Sequence, residues 1–124
     1  MEFTQKQAIE IYRVVRKLEY QDMDGMTANT LFNLREAFEP RFKFQDEQEK
    51  KLIDKLQCRV DNTGAITFPN VEAQKEYIGK ISEIDGIKVN IAISKTKIDI
   101  SGIKISPHDI GILREVAEIV FNNP

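Results

Sequence analysis

"LFNLREAFEPRFKFQDEQEKKLIDKL", residues 31–56, decides how this chain is put together, because it can be read as two helices meeting at Pro40 or as one. Leu31, Leu34, Phe38, Phe42, Gln45, Glu49, Leu52 and Leu56 follow one another in steps of three or four, the spacing that keeps side chains on one helical face. The stripe is close to a coiled-coil seam, but with polar residues at two central positions. Proline inside a helix removes a hydrogen bond at a cost of about 3 kcal/mol, and Asp46 with Glu49 offers a capping box for a second helix. Against this, the stripe stays in phase on both sides of Pro40, which an irregular loop has no reason to preserve. The spacing predicts one long helix over about 27–57, kinked near Pro40.

Upstream, residues 4–19 predict an amphipathic helix. Thr4 and Gln7 form a capping box, and Phe3 stands where it can pack on Ala8 as a hydrophobic staple. Ala8, Ile11, Val15 and Leu18 share one face. "QDMDG" (21–25) breaks the pattern with Gly25 as a turn residue, so residues 1–57 predict a helical hairpin.

Downstream, "CRVDNTGAITFP" (58–69) carries turn chemistry at Asp61, Asn62 and Gly64 between short strands at 57–60 and 65–68, a β-hairpin. Asn70 caps a helix over 71–84 whose buried stripe is Ala73, Tyr77, Ile81 and Ile84, with Ile78 beside it, and Gly86 closes it. Ile87, Val89, Ile91 and Ile93 alternate with polar or small residues, as in a half-buried strand. After "SKTK" (94–97), Ile98 and Ile100 resume the alternation, which predicts a second hairpin bent at Ser101 and Gly102. Ser106 caps a last helix with Pro107 in its first position and Asp109 at the positive end of its dipole. Ile110, Leu113, Val116 and Val120 form the apolar stripe of that helix. The expected architecture is α+β: an antiparallel helical hairpin with a long Pro-kinked second helix, a small antiparallel β-sheet and two shorter helices. It makes one domain over 1–124, with 58–124 a mixed β-hairpin and helix part of the same core.

The totals agree with a single core, since 124 residues lie in the commonest size range for one domain. Apolar residues at 41% and charged residues at 31% exclude a disordered tail, and no run approaches the roughly 18 apolar residues of a spanning helix. "MEFTQKQAIEIYRVVRK" lacks a signal peptide's apolar stretch, so the cytoplasm is the expected location. Eighteen basic and 20 acidic side chains leave a net charge of −2, which gives no general pull toward nucleic acid. One cysteine and one histidine leave no basis for an internal disulfide or a His-rich metal cage, and no cofactor is expected.

Each polar residue that invites a chemical role also has a plain structural one. His108 stands second in a capped helix, where side chains face solvent, and no motif places a nucleophile beside it. Cys58 beside Val60 reads as a small buried hydrophobe. "DMDG" (22–25) and "DNTG" (61–64) resemble fragments of calcium loops but lack the spaced oxygen ligands and terminal glutamate, so both read as turns. Arg13, Arg16 and Lys17 share a face near Tyr12 and Tyr20 and form the one candidate phosphate-contacting cluster, although Glu10 and Glu19 flank them. Asp46, Glu47, Lys50 and Lys51 pair within their own helix. No phosphate-binding glycine loop and no internal repeat is present in the sequence.

The chain resembles a family of small, functionally uncharacterised proteins encoded in tailed-bacteriophage and prophage genomes. The resemblance lies in "FTQKQAIEIYRVVRKL" (3–18), the 31–56 stretch above, "DNTGAITF" (61–68), "AQKEYIGKISEIDGIKVNI" (73–91) and "SGIKISPHDIGIL" (101–113). Its most specific pieces are Glu39-Pro40 and "ISPHDI" (105–110). It implies a phage setting and one helical unit over 27–57, and it brings no catalytic, cofactor or metal residues. Cys58 and "SKTK" depart from the pattern, which bears on local strand geometry.

The expected function is therefore that of a non-enzymatic phage or prophage protein acting through protein–protein interaction, with phage structural or assembly proteins as partners and a role in virion assembly. Self-association through the near-heptad stripe stays open, as does virion association; a membrane partner is not expected. The alternative is a small nucleic-acid-binding or host-modulating regulator working through Arg13, Arg16 and Lys17.

Overall fold

The computed structural model describes residues 1–121, so the last three residues of the expected 58–124 part lie outside the described residues. A short strand β1 (Glu2–Thr4) leads into helix α1 (Gln5–Leu18), which turns back into the long helix α2 (Gly25–Lys55). The hairpin β2 (Arg59–Val60) and β3 (Ile66–Thr67) precedes helix α3 (Val71–Asp85). Strands β4 (Lys88–Asn90) and β5 (Thr96–Asp99), helix α4 (Pro107–Leu113) and strand β6 (Ala117–Val120) follow. The fold is α+β, with α1 and α2 as its helical hairpin.

Helix α2 runs through Pro40 as one unit, as the stripe predicts. Asp24 caps it, its carboxylate accepting from the Thr27 amide at 2.9 Å, so Gly25 begins the helix rather than making a free turn. At the other end Gln57 takes a left-handed φ of 56°. The Cys58 amide donates to the Ile53 carbonyl at 3.0 Å and the Gln57 amide to Asp54 at 3.3 Å, the two bonds of a Schellman closure. Glycine normally holds that position, because a side chain there costs about 1–2 kcal/mol. Gln57→Gly is expected to stabilise the protein by about 0.5–1 kcal/mol once glycine's own chain entropy is subtracted. Urea unfolding checks this; an unchanged or lower midpoint contradicts it.

The core lies where α1 crosses the first half of α2. Ile11, Val15 and Leu18 meet Leu31, Leu34 and Phe38, and Ile98, Ile100, Leu113 and Val116 close the far side. Phe38 is fully buried, with the Phe3 ring edge-on to it at 5.4 Å. Phe3 thus packs on α2 from within β1, where the sequence suggested a staple at the start of α1. Farther along, Tyr12 stacks on Phe42 at 4.7 Å.

The polar interruption of the stripe has a structural answer. Gln45 is buried and accepts from the equally buried Gln5, whose amide also donates to the Arg41 carbonyl at 2.8 Å. Arg41 Nε returns a bond to the Gln5 oxygen at 2.8 Å, and the Gln45 amide reaches Glu49 at 3.3 Å. A buried amide needs such partners, and here they lie on the stretch of α2 that follows Pro40, tying the start of α1 to the middle of α2.

Strand pairing differs from the expected second hairpin. β4 pairs antiparallel with β1, placing Phe3 opposite Val89, both buried. β5 pairs parallel with β6, Ile98 opposite Ile119, through a connection that contains α4. Alternation specifies which face of a strand is buried but not its partner, and "SKTK" contains none of the residues a tight hairpin turn requires. Thr96 and Lys97 are instead the first residues of β5. The last helix also stops early, at Leu113, and residues 117–120 form β6. "VAEIV" satisfies either period, and the ladder with β5 decides it. Of the three ladders among the described residues, two are antiparallel and this one is parallel.

Candidate interaction surface

The three residues singled out for phosphate contact divide between two faces of α1. Arg16 turns toward Glu19, 3.1 Å away, and Arg35 from α2 reaches the same carboxylate at 3.0 Å. Arg16 also lies over the exposed Tyr20 ring at 5.9 Å, and Arg35 over Phe32 at 5.1 Å. Lys17 bonds to Asp109 at 2.8 Å. Arg13 and Lys17 share a small groove of about 230 Å³ with Glu10, Asp109 and the exposed His108. The basic cluster is thus interleaved with Glu19, Asp109 and Glu10, which weakens the field that a phosphate chain would meet.

Asp109 does more than favour a helix dipole. Its backbone amide donates to the Ser106 hydroxyl, and its buried carboxylate ties α4 to α1 through Lys17. Sequence reading missed this bridge because its partners are 92 positions apart. Asp109→Ala is expected to cost about 1–2 kcal/mol, toward the low end for a charge-assisted bond because Lys17 is largely in water. Thermal unfolding measures it, and a loss below about 0.5 kcal/mol, the range of an ordinary surface change, contradicts it.

An open groove of about 700 Å³ lies between the first turn of α2 and the outer face of β5 and β6. Its polar groups are already engaged in the fold. Asp24 caps α2, and the Thr27 hydroxyl donates to Asp24 at 3.1 Å or to the Asp99 carbonyl at 3.3 Å. Among the described residues no group of three or more His, Cys, Asp or Glu side chains could hold a metal ion. No helix among them is long and apolar enough to cross a membrane.

A different surface stands out by its packing. Gln5, the first residue of α1, meets Gln45, so the last ten residues of α2 run on beyond the helix that covers the rest. The β2–β3 hairpin and the first half of α3 accompany them, held by Phe68 on Tyr77 at 5.4 Å and by Lys55 with Glu76 at 3.4 Å, while the second half of α3, with Ile81 and Asp85, lies beside α1. Asp61 organises the hairpin turn. The Thr63 hydroxyl donates to its carboxylate at 2.6 Å, with the Thr63 and Ala65 amides, and holds it below the ordinary aspartate value. Partial burial, with Glu49 and Cys58 nearby, pushes the Tyr77 phenol above its ordinary value. Cys58 is half-buried at the root of the hairpin.

No apolar side chain from residues 43–88 joins the buried core. Of the stripe predicted for α3 only Ala73 is buried; Tyr77, Ile81 and Ile84 are half-covered. Val71 and Ile78 are 60% and 58% exposed, and Val60 in the hairpin is 49% exposed. Val71, Ile78 and Ile81 stand seven and three residues apart and so extend the apolar face of α3 sideways beyond what the arm covers. Apolar residues at helical spacing signal burial, but the sequence does not say whether the cover comes from the same chain.

The chain matches no protein-family model, no curated protein and no solved structure.

Proposed function

We propose that the chain is a non-enzymatic phage or prophage protein that acts through protein–protein contacts in the cytoplasm of a host bacterium, with phage structural or assembly proteins as its partners. The phage setting rests on the sequence resemblance set out above. The interaction role is supported by one observation: the arm formed by the end of α2, the β2–β3 hairpin and α3 carries an apolar face that the core does not cover. Clustered exposed apolar side chains rimmed by charge are the ordinary surface of an interaction site, and here Glu72, Lys75 and Lys80 supply the rim.

The regulator reading has weaker support, since Arg16 and Lys17 are both paired with carboxylates. The test is affinity capture of the tagged chain from prophage-induced cells, comparing the native sequence with a Val71→Lys, Ile78→Lys double variant. Both positions are mostly exposed, so the variant is expected to keep its melting temperature while recovery of phage head or tail proteins falls at least tenfold. Equal recovery by both proteins, or recovery of nucleic acid in place of protein, counts against the proposal.

A further inference from the structure

Burial divides the chain unevenly. In α1 eight residues are buried, whereas among the described residues from 46 to 88 only Ala73 is. The hairpin and α3 therefore hold on through half-covered side chains, chiefly Tyr77, Ile81 and Ile84. They meet α1 on a face of that helix which turns away from the core. Gln5 and Ile9 stand one turn apart on it. Gln5 bonds to Gln45, and Ile9, only 5% exposed, lies outside the main cluster. Ile9 shares with Ile81 a groove of about 220 Å³ whose walls include Lys6, Glu10, Arg13 and Asp85. The seam between α3 and the rest of the fold is thus amide and charge around two isoleucines.

We infer that the β2–β3 hairpin and α3 form a lid that opens as one unit while the core stays folded, uncovering Ile9 and the charged flank of α1. Burying apolar surface stabilises by about 25 cal/mol per Å². A segment whose one buried residue is an alanine has little to set against the chain entropy released when it opens. The lid joins the rest of the chain at two points. At Gln57 the backbone turns with a left-handed φ of 56°, a conformation unfavourable to a side chain, and opening relieves it. At the other end Gly86 precedes Ile87, whose carbonyl accepts from the Gln5 amide at 2.7 Å, and the buried Val89 then pairs with Phe3. β1 and α1 therefore keep β4 in place when α3 leaves, and the core holds α2 as far as Gln45. Regions of low burial open in such cooperative units at a cost below that of global unfolding.

Hydrogen exchange of the free, full-length chain in rising but sub-denaturing urea tests this. Hydrogen-bonded amides of residues 59–85 are expected to exchange, relative to their unfolded rates, at least about a hundredfold faster than the slowest amides of α1, with one shared and shallow urea dependence. Val15→Ala distinguishes a lid from a chain that opens only as a whole. Val15 is wholly buried in the main core, so the change is expected to speed α1 exchange at least about tenfold. Exchange over 59–85 is expected to stay unaltered, because the core is still folded when the lid is open. Equal acceleration in both segments overturns the inference. So does exchange in α3 that matches α1, or that grades inward from the helix ends without a common urea dependence. No partner is present in this experiment, so its outcome does not depend on the docking face of α3.

Discussion

Phe38→Ala is expected to destabilise the protein by about 3–5 kcal/mol, the cost of removing a large aromatic side chain from a packed interior. Phe38 is wholly buried between α1 and the strands, and its ring supports Phe3, which in turn anchors β1 against β4. The loss therefore reaches two layers of the fold. Domains of this size are stable by about 5–15 kcal/mol, so the variant stands near the limit of folding, with a melting temperature lowered by about 10–20 °C. Phe38→Leu, which keeps most of the volume, is expected to lose less than half as much. Urea unfolding monitored by circular dichroism distinguishes the outcomes. A cost for Phe38→Ala below about 2 kcal/mol contradicts the placement of the core, provided the denaturant slope is unchanged.

The second large effect is polar. Gln5→Ala deletes three hydrogen bonds and leaves the buried Gln45 oxygen and the Arg41 Nε without their partner. Stranding buried polar groups costs about 2–3 kcal/mol, more than the bonds contribute net. Replacing both glutamines together by leucine is expected to cost less than the sum of the single Gln5→Leu and Gln45→Leu changes, because neither amide is then left unpaired. Strict additivity of the two single costs sinks this account, as contacting residues in one network should couple by 0.5 kcal/mol or more. The network also gives the polar positions of the α2 stripe a reason, since one polar pair in an apolar seam holds the register of the helices that share it.

How much of this was legible in the sequence depends on the range of the interaction. The α2 helix was readable across Pro40 because periodicity and caps are local, and Asp24, Asn70 and Ser106 each cap a helix through the amide three residues on. Thr4 and Gln7 close their capping box in both directions. Strand partners were not readable. β1 is three residues long and its signal was absorbed by the helix start beside it, while "VAEIV" carried a stripe that either period accommodates. Gln5 could have been suspected from its place just inside a helix whose partner stripe turns polar, but nothing local ties it to Gln45. For the interaction surface, the stripe of α3 was visible, whereas its partial cover depends on where α1 and the end of α2 meet that helix.

That partial cover is the centre of the account, and hydrogen exchange measures it directly. The chain is compared alone and in the complex recovered from prophage-induced cells, peptide by peptide. Added protection concentrated over residues 58–87, with α1 unchanged, is the predicted result. Protection centred on the α1 face that carries Arg13, Arg16 and Lys17, with the arm exchanging as freely as before, contradicts it.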